Sequence, residues 1–103
     1  MYTLITGAAT SMAYKIKNGL NNENIILGDY AELPSTMLSK MMIQLPSPSS
    51  SSYAHEMLAL CLDKEIDHIY PLKKEEQAQL AIAAQLFKEY GISIVEGPIV
   101  HGP

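Results

Sequence analysis

The sequence lacks most of the features that mark secreted, metal-stapled or nucleic-acid-binding proteins. It contains one cysteine, Cys61, no tryptophan, and no arginine among its 7 basic residues. A single cysteine excludes an internal disulfide and any multi-cysteine zinc site. No guanidinium group is present to bind phosphate or guanine in a bidentate way, and the formal net charge is −4. We therefore expect no nucleic-acid partner.

Long apolar runs and a charged start are absent as well. No apolar run approaches the ~20 residues that span a bilayer, and Met1-Tyr2-Thr3 lacks the basic start of a signal peptide. What is present is a chain of 103 residues, 48% of them hydrophobic, which suits one domain with a buried core. We expect a cytoplasmic protein without a membrane partner, folded as a single domain over 1–103 with an irregular tail over 97–103.

Short apolar runs alternate with stretches of helical period along the chain. This alternation is typical of β-α-β units on a parallel sheet. Strands are predicted over 2–6, 24–27, 66–70 and 92–95. The first helix is predicted to start at Thr10 or Ser11, to bury Met12, Ala13, Ile16 and Leu20, and to end at Gly19 and Asn21-Asn22. Two further helices are predicted over 53–64, capped by Ser52, and over 73–90, ended by a left-handed Gly91.

Residues 30–52 allow two interpretations. Ser35 caps a short helix with apolar positions at Met37, Leu38, Met41 and Met42, or else 42–45 forms a short third strand that Pro46 ends. The serine-rich segment 47–52 is predicted to be a loop. Methionine-rich surfaces adapt to partners. We therefore expect part of the apolar stripe from Met37 to Met42 to pack against another domain or a second copy of the chain.

These elements predict an α/β fold, a three-layer, Rossmann-like, doubly wound parallel sheet of about five strands in the order 3-2-1-4-5. Strands one and four are then neighbours at the switch point. The loop after Thr6 and the loop after Tyr70 share the carboxyl edge, where open α/β sheets bind ligands. The candidate ligand-binding residues are Gly7, Ala8, Ala9, Thr10, Ser11, Asp29, Pro71, Lys73, Lys74 and Glu76.

The first loop and Asp29 each have a second, purely structural interpretation. The segment 7–11 could cradle an anion with the N–H groups of a helix start, or it could be a tight turn that needs one glycine. The dinucleotide fingerprint would require glycines where Ala9 and Met12 stand. Asp29 follows Gly7 by ~20 residues, like the ribose-binding carboxylate of dinucleotide-binding folds. An Asp after a glycine is also an ordinary turn former, and we favour that role.

The charged residues of the second loop are equally ambiguous. Lys73, Lys74, Glu75 and Glu76 could contact a substrate, but acidic residues in a first helical turn also complement the helix dipole, and we favour this role. The three histidines show no metal-ligand spacing. Cys61 lies on an apolar helical stripe, which indicates a buried and unreactive thiol. No catalytic or metal-binding residue is assigned.

A progression of residues in the second half resembles a known family. It consists of Leu45-Pro46, Tyr53, Leu58-Ala59-Leu60-Cys61, Ile66-Asp67-His68-Ile69-Tyr70-Pro71, Glu76, Phe87 and Gly91-Ile92-Ser93-Ile94. Together with the opening Thr6-Gly7-Ala8 and Asp29, it is similar to the N-terminal (pre-ATP-grasp) domain of ATP-grasp ligases related to the carbamoyl-phosphate synthase large subunit. Glu76 fits a glutamate of that pattern, whereas Lys74 stands where many relatives carry an acidic residue.

The resemblance implies a domain that packs against an ATP-grasp domain or subunit, in cis or in trans, and helps to shape its substrate side. ATP and magnesium would belong to that module, so we expect no cofactor in these residues and no ligase activity from them alone. Two alternatives remain open. One is a small Rossmann-like nucleotide or NAD(P)-binding module, and the other is an oligomerisation module such as a homodimer.

Overall fold

The centre of the protein is a five-stranded parallel sheet, seen in a computed structural model that describes residues 1–20 and 24–95. The strands are β1 (Tyr2–Ile5), β2 (Ile25–Asp29), β3 (Met42–Gln44), β4 (Ile66–Tyr70) and β5 (Ser93–Ile94). Their order is β3-β2-β1-β4-β5, and all four pairings are parallel. The predicted Rossmann-like, doubly wound α/β fold and its strand order are confirmed.

Helices cover both faces of the sheet. In the described part of the chain they are α1 (Ser11–Leu20), α2 (Tyr53–Asp63), α3 (Lys74–Ile82) and α4 (Ala84–Glu89). Neighbouring strand residues point to opposite faces, so Leu4 and Ile5 enter different core clusters. Leu4 packs in the cluster to which α2, α3 and α4 contribute, and Ile5 packs in the cluster that contains Ala13 of α1. The result is three layers.

The segment between β2 and β3 follows the strand interpretation. β3 covers Met42–Gln44, and Ser35–Met37 form a single 3-10 turn. Pro34 precedes that turn and no side chain caps it, so the predicted cap at Ser35 is wrong. The exposed apolar stripe consists of Met37, Leu38 and Met41, which are 42%, 41% and 40% exposed. Their exposure leaves them free to contact a partner, and that contact stays a prediction.

The predicted helix over 73–90 is wrong in one respect, because the backbone breaks at Ala83. The Ala83 N–H donates to the Leu80 carbonyl oxygen at 3.1 Å, and α4 starts at the next residue. Leu80 and Phe87, on either side of the break, are both fully buried in the same core cluster. The left-handed end at Gly91 is confirmed, with φ +77°.

Two smaller expectations at helix ends also need correction. Leu20 is 36% exposed, so of the stripe predicted for α1 only Ala13 is fully buried. Ser52 does occupy the position before α2, but its side chain makes no capping hydrogen bond. The predicted end of α1 at Asn21-Asn22 and the tail over 97–103 lie outside the described residues. Across the residues that are described, no helix has the length and apolar character needed to cross a membrane.

Candidate functional site

The turns after β1 and β4 meet at the carboxyl edge of the sheet, as predicted. The Thr6 N–H donates to the Tyr70 carbonyl oxygen at 3.1 Å, and the Leu72 N–H donates to the Thr6 hydroxyl at 2.9 Å. Gly7 turns the chain with φ +67°, a left-handed conformation that favours glycine. Thr6, which sequence analysis did not select, therefore joins the two loops.

The loop 7–11 is held mainly by its own residues. The Thr10 hydroxyl donates to the Gly7 carbonyl oxygen at 2.7 Å, and the Thr10 N–H donates to the same oxygen at 2.8 Å. The buried Ala8 donates its N–H to the carbonyl oxygen of Gly28 at 3.0 Å. Ala9 and Ser11 are exposed at the edge of the sheet. The N–H groups of Ala8 and Thr10 are therefore occupied within the protein.

Asp29 binds three separate segments through its carboxylate. It is fully buried, and its Oδ2 accepts the Ala9 N–H at 3.0 Å. Its Oδ1 accepts the Ala31 N–H and the Lys73 ammonium, each at 3.1 Å. The contact with Ala31 confirms the favoured role as a turn former. The contacts with Ala9 and Lys73 were not predicted, and they connect the two loops of the candidate site.

Lys73 contacts both Asp29 and the aromatic ring of Tyr30 at this edge of the sheet. The Lys73 ammonium lies 4.6 Å from the centre of the Tyr30 ring, a cation–π contact. The Tyr30 hydroxyl donates to Oε2 of Glu75 at 3.4 Å. Burial raises the pKa of Tyr30, and the neighbouring Glu75 carboxylate raises it further. Lys73 is therefore occupied by two partners of the protein itself.

Gln44, at the end of β3, holds the turn that follows β2. Its Nε2 lies within hydrogen-bond distance of the carbonyl oxygens of Asp29, Tyr30 and Ala31, at 3.1, 3.2 and 3.0 Å. Its Oε1 accepts the Leu33 N–H at 3.0 Å. Gln44 was not among the predicted site residues, because residues 42–45 were considered only as part of a helix or strand. A polar residue at the end of an apolar strand was the available signal.

Glu76 is the most unusual group in the site. It lies in the first turn of α3, yet it is fully buried, and among the described residues neither carboxyl oxygen has a hydrogen-bond partner. Burial raises the pKa of Glu76 to about 7. The neighbouring Thr6 hydroxyl lowers this pKa, the Asp29 carboxylate raises it further, and Lys73 lowers it through its charge and its backbone N–H. Glu76 is thus more than a surface partner of the helix dipole.

The remaining candidates lie at the same edge with different exposure. Pro71 is buried, and its carbonyl oxygen accepts Nε2 of Gln77 at 2.8 Å. Lys74 is exposed. Within residues 1–20 and 24–95, no group of three or more His, Cys, Asp or Glu side chains could hold a metal ion. Cys61 is buried, as predicted, and burial raises its pKa to about 12; its lack of reactivity stays a prediction.

The geometry defines a Rossmann-like α/β domain whose candidate site lies at the switch point of the sheet. No protein-family model matches the chain, and no curated protein matches it. A solved structure of L-threonine 3-dehydrogenase from Trypanosoma brucei is similar in fold, with a TM-score of 0.57 and 16% sequence identity. The similarity covers 89% of this chain and 34% of the dehydrogenase chain. At this identity the similarity shows the fold and not the activity.

Proposed function

We propose that this chain is the accessory, substrate-side N-terminal domain of an ATP-grasp carboxylate–amine ligase or of a carbamoyl-phosphate-synthase-like enzyme, without catalytic activity of its own. The sequence resemblance supports this proposal, and its residues fall at structurally meaningful places. Leu45-Pro46 directly follows β3, the segment from Ile66 to Pro71 is β4 and its end, and Glu76 opens α3. ATP and magnesium would be bound by the partner module.

The observation that carries the proposal is that Asp29 occupies one N–H group of the first loop, that of Ala9, which argues against a dinucleotide at this site. In a dinucleotide site, N–H groups of the first loop face the diphosphate and the acidic residue at the end of the second strand binds the ribose. Here the Ala9 N–H and the Asp29 carboxylate bind each other, and Lys73 completes the contact. A dinucleotide would have to replace two hydrogen bonds to a charged group, each worth about 1.5–3 kcal/mol.

Reconstitution of the enzyme tests this function. The coding DNA on either side of the chain would be searched for an ATP-grasp module, and that module would be purified with and without this domain. We expect no ADP release from MgATP by the 103-residue chain alone, and turnover by the module only when the domain is present. Turnover by the isolated chain would contradict the proposal, as would a module whose activity does not change when the domain is removed.

A second candidate function is a small nucleotide or NAD(P)-binding module. The Rossmann-like fold favours it, and so does the position of Asp29 at the end of β2. This candidate requires that NAD, NADP or ATP displace Lys73 from Asp29. It therefore predicts saturable binding by the isolated chain, which the accessory-domain proposal does not.

The exposed apolar stripe supports a protein partner for either function. Met37, Leu38 and Met41 lie between β2 and β3, next to the edge of the sheet that β3 forms. An ATP-grasp module or a second copy of the chain would cover them. Sedimentation of the purified chain, alone and with the module, separates the two partners. A chain that stays monomeric and does not associate with the module would contradict both partners, the second copy and the ATP-grasp module.

A further inference from the structure

Two polar groups without partners lie together behind the candidate site. Glu76 of α3 is 0% exposed and Tyr53 of α2 is 1% exposed. In the described part of the chain, the Glu76 carboxyl oxygens and the Tyr53 hydroxyl have no hydrogen-bond partner. Burial raises the pKa of Tyr53, and the Glu76 carboxylate raises it further. Buried polar groups are nearly always hydrogen-bonded, so this pair needs an explanation.

The groups that face Glu76 come from several elements. They are Asp29 of β2, Lys73 before α3, Tyr53 of α2, Tyr30 after β2, and the hydroxyl of Thr6 at the end of β1. Lys73 is the cation in this set, and its ammonium already binds Oδ1 of Asp29 at 3.1 Å. The two buried carboxyl groups, of Asp29 and Glu76, thus share a single positively charged neighbour, the Lys73 ammonium. While Glu76 keeps its proton, this cluster has no net charge, and when Glu76 ionises the cluster carries one negative charge.

We propose that Glu76 is a proton-operated switch that controls whether Lys73 ties the loop before α3 to Asp29. When Glu76 carries its proton, Lys73 stays on Asp29 and the two loops are held together. When Glu76 releases its proton to solvent, the buried negative charge draws Lys73 towards Glu76 and away from Asp29. The proposal concerns the shape of the site and holds whichever ligand the site takes.

The consequence follows from what Lys73 and Asp29 each contact. Asp29 also accepts the Ala9 N–H of the first loop, and the Lys73 ammonium also lies over the Tyr30 ring. A move of Lys73 therefore changes the environment of the first loop, of the second loop and of Tyr30 together. Because burial raises the pKa of Glu76 to about 7, this change falls in the neutral range. The site is closed under mildly acidic conditions and loosened under mildly basic ones.

A nuclear magnetic resonance titration of the whole chain from about pH 5 to about pH 9 tests the switch. The signals to follow are the side-chain carboxyl carbon of Glu76, the ammonium nitrogen of Lys73, and the backbone amides of Ala9 and Ala31. We expect all four to move with one common midpoint near neutrality. Static Lys73, Ala9 and Ala31 signals while Glu76 titrates would overturn the proposal.

Two matched variants, each in the first turn of a helix, complete the test. Glu76→Gln removes the ionisable group and should abolish the transition at Lys73, Ala9 and Ala31. Glu56→Gln changes an exposed glutamate in the first turn of α2 and should leave the transition at its wild-type midpoint. A transition that survives in Glu76→Gln, or disappears in Glu56→Gln, assigns the proton to another group and contradicts the proposal. If Glu76→Gln does not fold, the wild-type titration decides by itself.

Discussion

The Asp29 side chain stabilises its own turn and also connects the two loops of the candidate site. Its carboxylate accepts N–H groups from Ala9 and Ala31 and the ammonium of Lys73, so it joins segments that are 20 and 44 residues away in the sequence. Hydrogen bonds to a buried charged group are among the stronger ones in a protein. The carboxylate occupies the Ala9 N–H, a donor that a phosphate at the first loop would otherwise bind.

Removing the Asp29 carboxylate should cost more stability than removing its ammonium partner. Asp29→Ala leaves the Ala9 and Ala31 N–H groups and Lys73 without an acceptor, and we expect a loss of about 2–4 kcal/mol. Lys73→Met leaves two hydrogen bonds to Asp29 in place, and Lys73 is 21% exposed, so we expect about 1–2 kcal/mol. Urea unfolding measures both. Equal losses in the two variants would show that the N–H contacts contribute little.

Glu76 should make the protein less stable as the pH rises towards neutrality. Its pKa is about 7 in the folded protein against an ordinary value of 4.5. Folding therefore favours the protonated form, and this contribution is present below about pH 4.5 and lost as the pH rises to about 7. The loss amounts to about 3 kcal/mol. Urea unfolding at about pH 5 and about pH 8 should show a smaller difference for Glu76→Gln than for wild type.

Glu75→Gln is the control for this measurement, because Glu75 is exposed in the same helical turn. It should keep the wild-type difference between the two pH values. If Glu76→Gln also keeps that difference in full, then Glu76 ionises normally in the folded protein.

At the residue scale, sequence analysis found where the site lies but not how it is built. It selected Asp29, Lys73 and Glu76 because each follows a predicted strand or opens a predicted helix. It did not find that Asp29 and Lys73 pair, or that Glu76 is buried, because these facts depend on how β1, β2 and α3 meet. Thr6 and Gln44 were missed for the same reason, since their partners lie 66 and 11 residues away.

At the scale of elements, periodicity located most helices and strands, but it missed the break at Ala83. The single helix over 73–90 was a reasonable expectation, because the segment has no proline or glycine before Gly91. The break at Ala83 has no local signal. Leu80 and Phe87, which sit on either side of it, are both anchored in the core. The sequence did not decide between a helix and a strand at β3, because a strand of three residues is too short to show a clear period.

Gly28 in β2 packs so closely against Leu45 that no room is left for a side chain. A Cβ at Gly28 would lie 2.8 Å from Cγ of Leu45 and 2.9 Å from its Cδ2. We expect Gly28→Ala to destabilise the protein by about 1–3 kcal/mol through overpacking. Gly19→Ala in α1 is the matched control, since a Cβ there meets nothing within 4 Å, and it should stabilise by about 0.5–1 kcal/mol. Thermal unfolding of both variants would contradict this account if the two shifts had the same sign.

The connection from α2 to β4 contains a strained backbone position. Glu65 has φ 57°, a left-handed conformation that L side chains rarely adopt. Glu65→Gly should relieve the strain and stabilise the protein by about 0.5–1 kcal/mol, net of the extra freedom that glycine has when unfolded. Glu65→Ala keeps the strain and should be close to neutral. Urea unfolding distinguishes them, and equal stability of the two variants would mean that the position stores no strain.

At the scale of the whole molecule, the topology was predictable because few arrangements satisfy the rules for parallel sheets. Apolar runs that alternate with helical stretches require crossover connections, and these are almost always right-handed. The order 3-2-1-4-5 then brings Thr6 beside Tyr70, as their backbone hydrogen bond shows. The binding partners of the domain are harder to predict. The exposed apolar stripe of Met37, Leu38 and Met41 indicates a contact surface but does not identify what binds there.

The central claim is that the domain closes its own candidate site and does not take a nucleotide by itself. Titration of the isotope-labelled chain with NAD, NADP and ATP under mildly acidic conditions, where Lys73 stays on Asp29, observed at the backbone amides of 7–11 and of Asp29, tests it most directly. The account predicts no saturable shifts at these amides with any of the three. Saturable binding of a dinucleotide, with shifts at both Ala9 and Asp29, would contradict it and establish the nucleotide-binding module instead.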